Sequence, residues 1–186
     1  MDPLLELTVA WALALLFAAS TAHKLAALAE WPGVVRNYRL LPETLVTTAA
    51  GTLLIAGALT AAALLWPATR RIGACAAAAQ LLVFAAAIAI NLRRGRTRID
   101  CGCFGSRLRQ GLSAWMVGRN LVLALLALGL LLPKRPRELG ALDIAAALGV
   151  VATLSFLYPV LGVVLRPPPP TFADNFAAGS AARELH

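Results

Sequence analysis

Two cysteines one residue apart, Cys101 and Cys103, are the groups in this 186-residue chain best suited to chemistry. They lie in the run Asp100-Cys101-Gly102-Cys103-Phe104-Gly105. A disulfide needs Cα atoms roughly 4.4–6.8 Å apart. An extended i, i+2 pair sits at the upper edge of that range, so closing the ring requires the backbone to turn. Gly102 allows the turn at low steric cost. So small a ring is strained and easily reduced, which suits an exchanging disulfide. It removes little entropy from the unfolded chain, so it would be a poor staple. Exchange also needs thiolate. Arg96, Arg98 and Arg107 favour that form, and Asp100 opposes it.

Other readings of the pair stay open. A closed tetrahedral zinc site needs two or more further ligands, yet the remaining candidates are one distant cysteine and two histidines, His23 and the terminal His186. No metal site is therefore expected. Juxtamembrane cysteines can carry lipid, and the two could also be inert thiols. Cys75, the third cysteine, lies near the start of an apolar segment that ends near Leu92. On a helix these positions are about 25 Å apart, too far for Cys75 to exchange readily with the pair. It reads as a small buried apolar residue.

The elements that must position these groups are membrane helices. Hydrophobic residues make up 60% of the chain and charged residues only 14%, too little polar surface to cover a soluble domain of this size. Five apolar runs are long enough to span a bilayer: Leu4–Ala22, Leu45–Trp66, Ile72–Leu92, Trp115–Leu132 and Leu142–Leu165. They must be helical, because isolated strands leave backbone groups unsatisfied in lipid, and the short alternating segments of a barrel are absent. The first run is read as a retained helix. Its N-terminal flank carries Asp2 and Glu6 and none of the basic residues of a signal peptide. The expected organisation is a transmembrane domain over 1–166 and a mobile tail over 167–186, where Pro167–Pro170 ends the last helix.

Five crossings place the first loop (23–44), the third loop (93–114) and the tail on one membrane face by parity alone. That gathers His23, Lys24 and Tyr38 on the cysteine face. His23 could move protons during thiol exchange, and Lys24 could stabilise a thiolate. The plainer reading of Lys24 is that it snorkels to headgroups, and the plainer reading of Tyr38 is an interfacial aromatic. Asn91 closes the third span, and Arg119-Asn120 lie about one turn into the fourth. An intramembrane arginine usually snorkels or finds a partner, and Arg119 could reach the loop. Gln80, in mid-span, reads as an interhelical hydrogen-bond donor.

The net charge of +8 sits in short loops, where headgroups and the positive-inside effect account for it. Nucleic acid is therefore not expected as a partner; the lipid bilayer is. Counting Lys and Arg puts the cysteine loop in the cytoplasm, whereas disulfide chemistry is more at home outside it. The two arguments point to opposite sides.

Taken together, several segments resemble the methylamine-utilisation protein MauE family, which is grouped with DoxX-like membrane proteins. They are His23-Lys24-Leu25 after the first span, Asn37-Tyr38-Arg39-Leu40-Leu41-Pro42, Asn91-Leu92-Arg93-Arg94-Gly95-Arg96, the Cys-Gly-Cys-Phe-Gly core, and Arg119-Asn120. The resemblance covers roughly the first four spans. It implies an all-α polytopic membrane bundle with a DoxX-like four-helix core, to which this chain adds a fifth transmembrane helix. It also implies a bacterial inner-membrane location and a thioredoxin-like, membrane-anchored partner. In the resembling family the client is the disulfide-rich small subunit of methylamine dehydrogenase. The family often has an acidic residue early in the second span, whereas this chain reads Thr47-Thr48-Ala49-Ala50-Gly51, so no role is carried there.

The leading expectation is a membrane thiol–disulfide relay. Cys101 and Cys103 cycle, His23 handles protons, and Lys24 and Arg119 tune local charge, with Tyr38, Asn91, Asp100, Gly102, Phe104, Gly105 and Asn120 in support. A quinone could serve as membrane electron carrier, although no motif in the chain marks a site for one. The main rival is a non-catalytic assembly factor in which the Cys-Gly-Cys turn is structural. A transporter fits less well, because the spans carry no mid-membrane charges and, apart from Pro159 in span five, no helix broken around a Gly/Pro pair.

Overall fold

The computed structural model describes residues 2–96, 112–133 and 140–164, with side chains as far as 153. Six helices and no strands occur among the described residues: α1 (Pro3–Ala26), α2 (Trp31–Asn37), α3 (Glu43–Leu65), α4 (Arg70–Arg93), α5 (Ala114–Gly129) and α6 (Ala141–Val164). The protein is an all-helical membrane protein. α1, α3 and α4 are each long and apolar enough to cross a bilayer. α5 is apolar but only 16 residues long, and α6 has 24. Met1–Leu154 forms one compact unit; of the second, Ser155–His186, only the α6 backbone is described.

Local chemistry sets the helix ends beyond the apolar runs. Asp2 caps α1, its Oδ1 accepting from the Leu4 amide at 2.8 Å, and Pro3 occupies the first turn, where its missing N–H costs nothing. His23 and Lys24 fall in the last turn of α1, where positive charge meets the negative end of the helix dipole. The first loop is not irregular throughout, since α2 occupies its centre. α5 stops before the expected Leu132. Leu130, Leu131 and Leu132 donate to carbonyls three residues back, tightening the chain ahead of Pro133.

The bundle packs up and down, with α1 against α3, α3 against α4 and α4 against α5. Its core is small-residue packing. Ala10, Ala14, Ala61, Ala74, Ala77, Ala78, Ala124 and Ala127 surround Leu13, Phe17, Leu64, Leu81 and Leu130. Alanines let the backbones close in lipid, where no hydrophobic force drives helices together. At Gly73 the approach is closest: a Cβ there would lie 2.8 Å from the Leu64 amide nitrogen and 2.9 Å from the Ala63 carbonyl carbon. Gln80 joins α4 to α3 as expected, its Nε2 donating to Thr60 Oγ1 at 2.6 Å.

Cys75 departs from expectation, for it is exposed on α4. It shares a helical stripe with exposed Ile72, Ala79, Leu82, Ala86 and Ile90. The surface that faces lipid is itself apolar, so an apolar residue there need not be buried.

Candidate functional site

The end of the bundle where α1 and α4 finish holds most of the described polar candidates. Lys24 is only 6% exposed. Its Nζ lies 4.8 Å from the centre of the Trp31 ring and 5.3 Å from that of Phe84. The negative faces of the two rings attract the ammonium, an interaction that strengthens once water is removed. Lys24 therefore does not snorkel outward. Trp31 can act as a wall because it is fixed: its Nε1 donates to the Ala50 carbonyl at 2.9 Å, tying α2 to α3. His23, one residue earlier and about 100° round the helix, is exposed.

One and two turns beyond Phe84, α4 presents Ile88 and Asn91. Asn91 is fully buried, and its Nδ2 donates to the Ala87 carbonyl at 3.0 Å. Its Oδ1 is buried without a hydrogen-bond partner among the described residues, so an acceptor is held inside this end of the bundle. Asn120 of α5 is also buried and bonds back to its own helix in the same way, Nδ2 to the Met116 carbonyl at 2.9 Å. Between the two asparagines lies an apolar cluster of Ile88, Leu112 and Met116, against which Tyr38, Leu92 and Val117 pack. Tyr38 is thus half-buried and joined to α4 and α5. Arg119 is partly buried, with its Nε inside the protein.

The cysteine loop leaves this same end in a defined direction. α4 closes with Arg94 at the C-cap and Gly95 at φ +70°. Gly95 N donates to the Leu92 carbonyl at 3.0 Å and Arg96 N to the Asn91 carbonyl at 3.0 Å. This is a Schellman closure, and its left-handed residue strongly favours glycine. Asp100, Cys101, Gly102, Cys103, Phe104 and Gly105 lie outside the described residues. The chain returns at Leu112, buried in the cluster beside Tyr38.

The sequence placed His23, Lys24, Tyr38, Asn91, Arg119 and Asn120 on one face. Phe84, which faces Lys24, Ile88, whose cluster packs against Tyr38, and Asn91 succeed one another turn by turn on α4, and Met116 of that cluster accepts from Asn120. Sequence reasoning missed Trp31 and Phe84 as the walls around Lys24. Among the described residues no group of three His, Cys, Asp or Glu side chains is placed to hold a metal.

The family model described as methylamine utilisation protein MauE matches residues 2–133, from α1 through α5 and across the cysteine loop. The chain belongs to the MauE family. Three MauE relatives named "Methylamine utilization protein MauE" set the degree of likeness. The protein from Paracoccus denitrificans is 48% identical over 133 residues, 69% of this chain and 72% of that one. That from Paracoccus versutus is 44% identical over 159 residues, 84% and 85% of the two chains. That from Methylorubrum extorquens is 42% identical over 160 residues, 83% and 86%. No solved structure matches the chain.

At its opposite end this MauE-family bundle carries a buried ion pair that the sequence did not reveal. Arg70 Nη1 lies 3.0 Å from Glu6 Oε1, with side chains 10% and 5% exposed. Arg70 Nε also donates to the Leu64 carbonyl at 3.3 Å. By the apolar runs Arg70 falls in the gap between spans two and three, and Glu6 reads only as an acidic flank. Instead α4 begins at Arg70, whose guanidinium ties the start of α1 to the end of α3. The pair is a structural clasp, at the end of the bundle opposite Lys24 and Asn91.

Proposed function

We propose that the protein is a membrane component of methylamine utilisation that carries out thiol–disulfide exchange through Cys101 and Cys103. It acts at the bacterial inner membrane with a thioredoxin-like, membrane-anchored partner and supports maturation of a disulfide-containing client, the small subunit of methylamine dehydrogenase. Membership of the MauE family supports the process, and the pairing of closely spaced cysteines supports the chemistry. The observation that carries the reading is the convergence of Lys24, Tyr38, Asn91 and Asn120 at the end of the bundle from which the cysteine loop departs. Cys101 lies five positions beyond Arg96, so its Cα is tethered within about 18 Å of that end.

The exchange is balanced. A partner thiolate attacks one sulfur of the Cys101–Cys103 disulfide. That bond breaks as the mixed disulfide forms, and the released thiolate takes up a proton. The second partner thiolate then attacks the mixed disulfide, leaving the partner oxidised and the loop as a dithiol. Two electrons and two protons have moved from the partner to the loop, and a separate disulfide oxidant, attacked in turn by the loop thiolates, takes them up and reoxidises the loop. His23 is exposed at this end and is assigned the proton transfers. Lys24, locked between its rings, and Arg119 supply fixed positive charge that favours thiolate. Lys24 therefore acts through its field as a positioning and charge-tuning residue.

The test is replacement of both cysteines with serine in cells that assemble the client. Client disulfides should fail to form while the protein remains in the membrane at normal level. Normal client maturation in the double variant would leave the non-catalytic assembly reading in its place.

A further inference from the structure

A group of arginines at the end of α4 is not used by the thiol chemistry. Arg94 Nη1 donates to the backbone carbonyl of Arg39 at 3.3 Å, across 55 positions of sequence. This brings together two residues that both carry positive charge, and Arg93 adjoins them in the last turn of α4. All three are exposed. The acid nearest Arg39 in the chain, Glu43, is engaged with Arg36 at 2.6 Å, and Glu30 lies at the far end of α2. Among the described residues Arg39, Arg93 and Arg94 have no carboxylate partner. Arg39 is also the one described non-glycine residue with positive φ, at +47°. That conformation is costly for a side-chain-bearing residue. Exposed arginines on neighbouring segments, one of them on a strained backbone, fit an anion that bridges them.

The surroundings identify the anion's carrier. Arg93 and Arg94 stand at the top of the exposed apolar stripe of α4. Ile90 lies one turn below them, and Ala86 and Leu82 one and two turns further down. Leu40 and Leu41, directly after Arg39, are exposed as well. A phosphate above and hydrocarbon below is the shape of a phospholipid. We propose that Arg39 and Arg94, with Arg93, form a binding site for the phosphate of an anionic phospholipid whose acyl chains lie along the Leu82–Ala86–Ile90 stripe. The guanidinium forks can engage phosphate oxygens bidentately.

The test uses the full-length protein reconstituted with phosphatidylglycerol or phosphatidylcholine of identical acyl chains, with retained lipid counted by native mass spectrometry. Wild type should retain phosphatidylglycerol at least about tenfold better than phosphatidylcholine, as expected for two or more arginines near a headgroup. Arg39→Gln with Arg94→Gln should abolish that preference, and Arg39→Lys with Arg94→Lys should keep most of it. Inorganic phosphate at millimolar concentration should not displace the lipid. Equal retention of both lipids by wild type would overturn the proposal, as would an unchanged preference in the double glutamine variant. Displacement by inorganic phosphate would assign the site to a free anion instead of a lipid.

Discussion

The buried clasp between Glu6 and Arg70 makes a quantitative prediction, because the same chain carries an exposed pair for comparison. Arg36 and Glu43 approach more closely, at 2.6 Å, but their side chains are 56% and 66% exposed. Glu6 and Arg70 are 3.0 Å apart, with side chains 5% and 10% exposed. Distance alone would rank the exposed pair higher. Solvent reverses the order, since an exposed pair is screened and typically contributes about 0.2–1 kcal/mol. Removing one partner of a buried pair costs about 3–5 kcal/mol, because it leaves a desolvated charge poorly compensated. Arg70→Met also takes a donor from the Leu64 carbonyl at the end of α3. Glu6→Leu and Arg70→Met should therefore each lower stability by about 3–5 kcal/mol. The double variant should be less destabilised than the sum by about 2–3 kcal/mol. The matching cycle on Arg36 and Glu43 should show a coupling below about 1 kcal/mol. Reversible unfolding in bicelles, followed by helical circular dichroism, measures both cycles. Additive effects at Glu6 and Arg70, or a larger coupling at Arg36 and Glu43, would refute the argument from burial.

Three further outcomes follow from named contacts. Gly95→Ala forces a side chain into the left-handed closure of α4; it should cost about 1–2 kcal/mol in the same unfolding assay and slow thiol exchange by misdirecting the loop. Gly73→Ala places a Cβ against the backbone of Ala63 and Leu64, and should destabilise by about 1–3 kcal/mol through overpacking. Lys24→Met should leave the fold intact, since methionine also packs well against aromatic rings. It removes a buried unit charge, whose contribution to thiolate stability is taken as ~1 kcal/mol, the order expected of separated charges in a partly polar interior. Exchange of the cysteine pair with a reduced thioredoxin should then slow about fivefold in stopped-flow fluorescence, whereas an unchanged rate would remove Lys24 from the chemistry.

The helices were legible in the sequence because long apolar blocks leave a chain little choice in lipid. Their ends were less so, because caps such as Asp2-Pro3 and Gly95 lie outside the apolar runs. Gly95 was readable in principle, as a glycine directly after a basic last turn is a stop signal. The side on which Lys24, Tyr38 and Asn91 lie followed from parity alone. How Lys24 is held did not, because its second wall, Phe84, comes from another helix. The clasp was hidden for the same reason, its partners being 64 positions apart. Cys75 shows a different limit. In water an apolar residue on a helix face points to burial, but in lipid both the core face and the outer face are apolar, so polarity no longer separates them.

The central claim is that the loop leaving the Lys24 end of the bundle exchanges disulfides. Its most direct measurement is a trap: Cys101→Ser and Cys103→Ser are expressed singly in cells containing the partner, and acid-quenched membranes are run without reductant. The account predicts that at least one single variant accumulates a mixed disulfide with a thioredoxin-like membrane protein, and that the species vanishes on reduction and in the double serine variant. If neither single variant forms such an adduct and the double variant still supports client maturation, the thiol relay is contradicted.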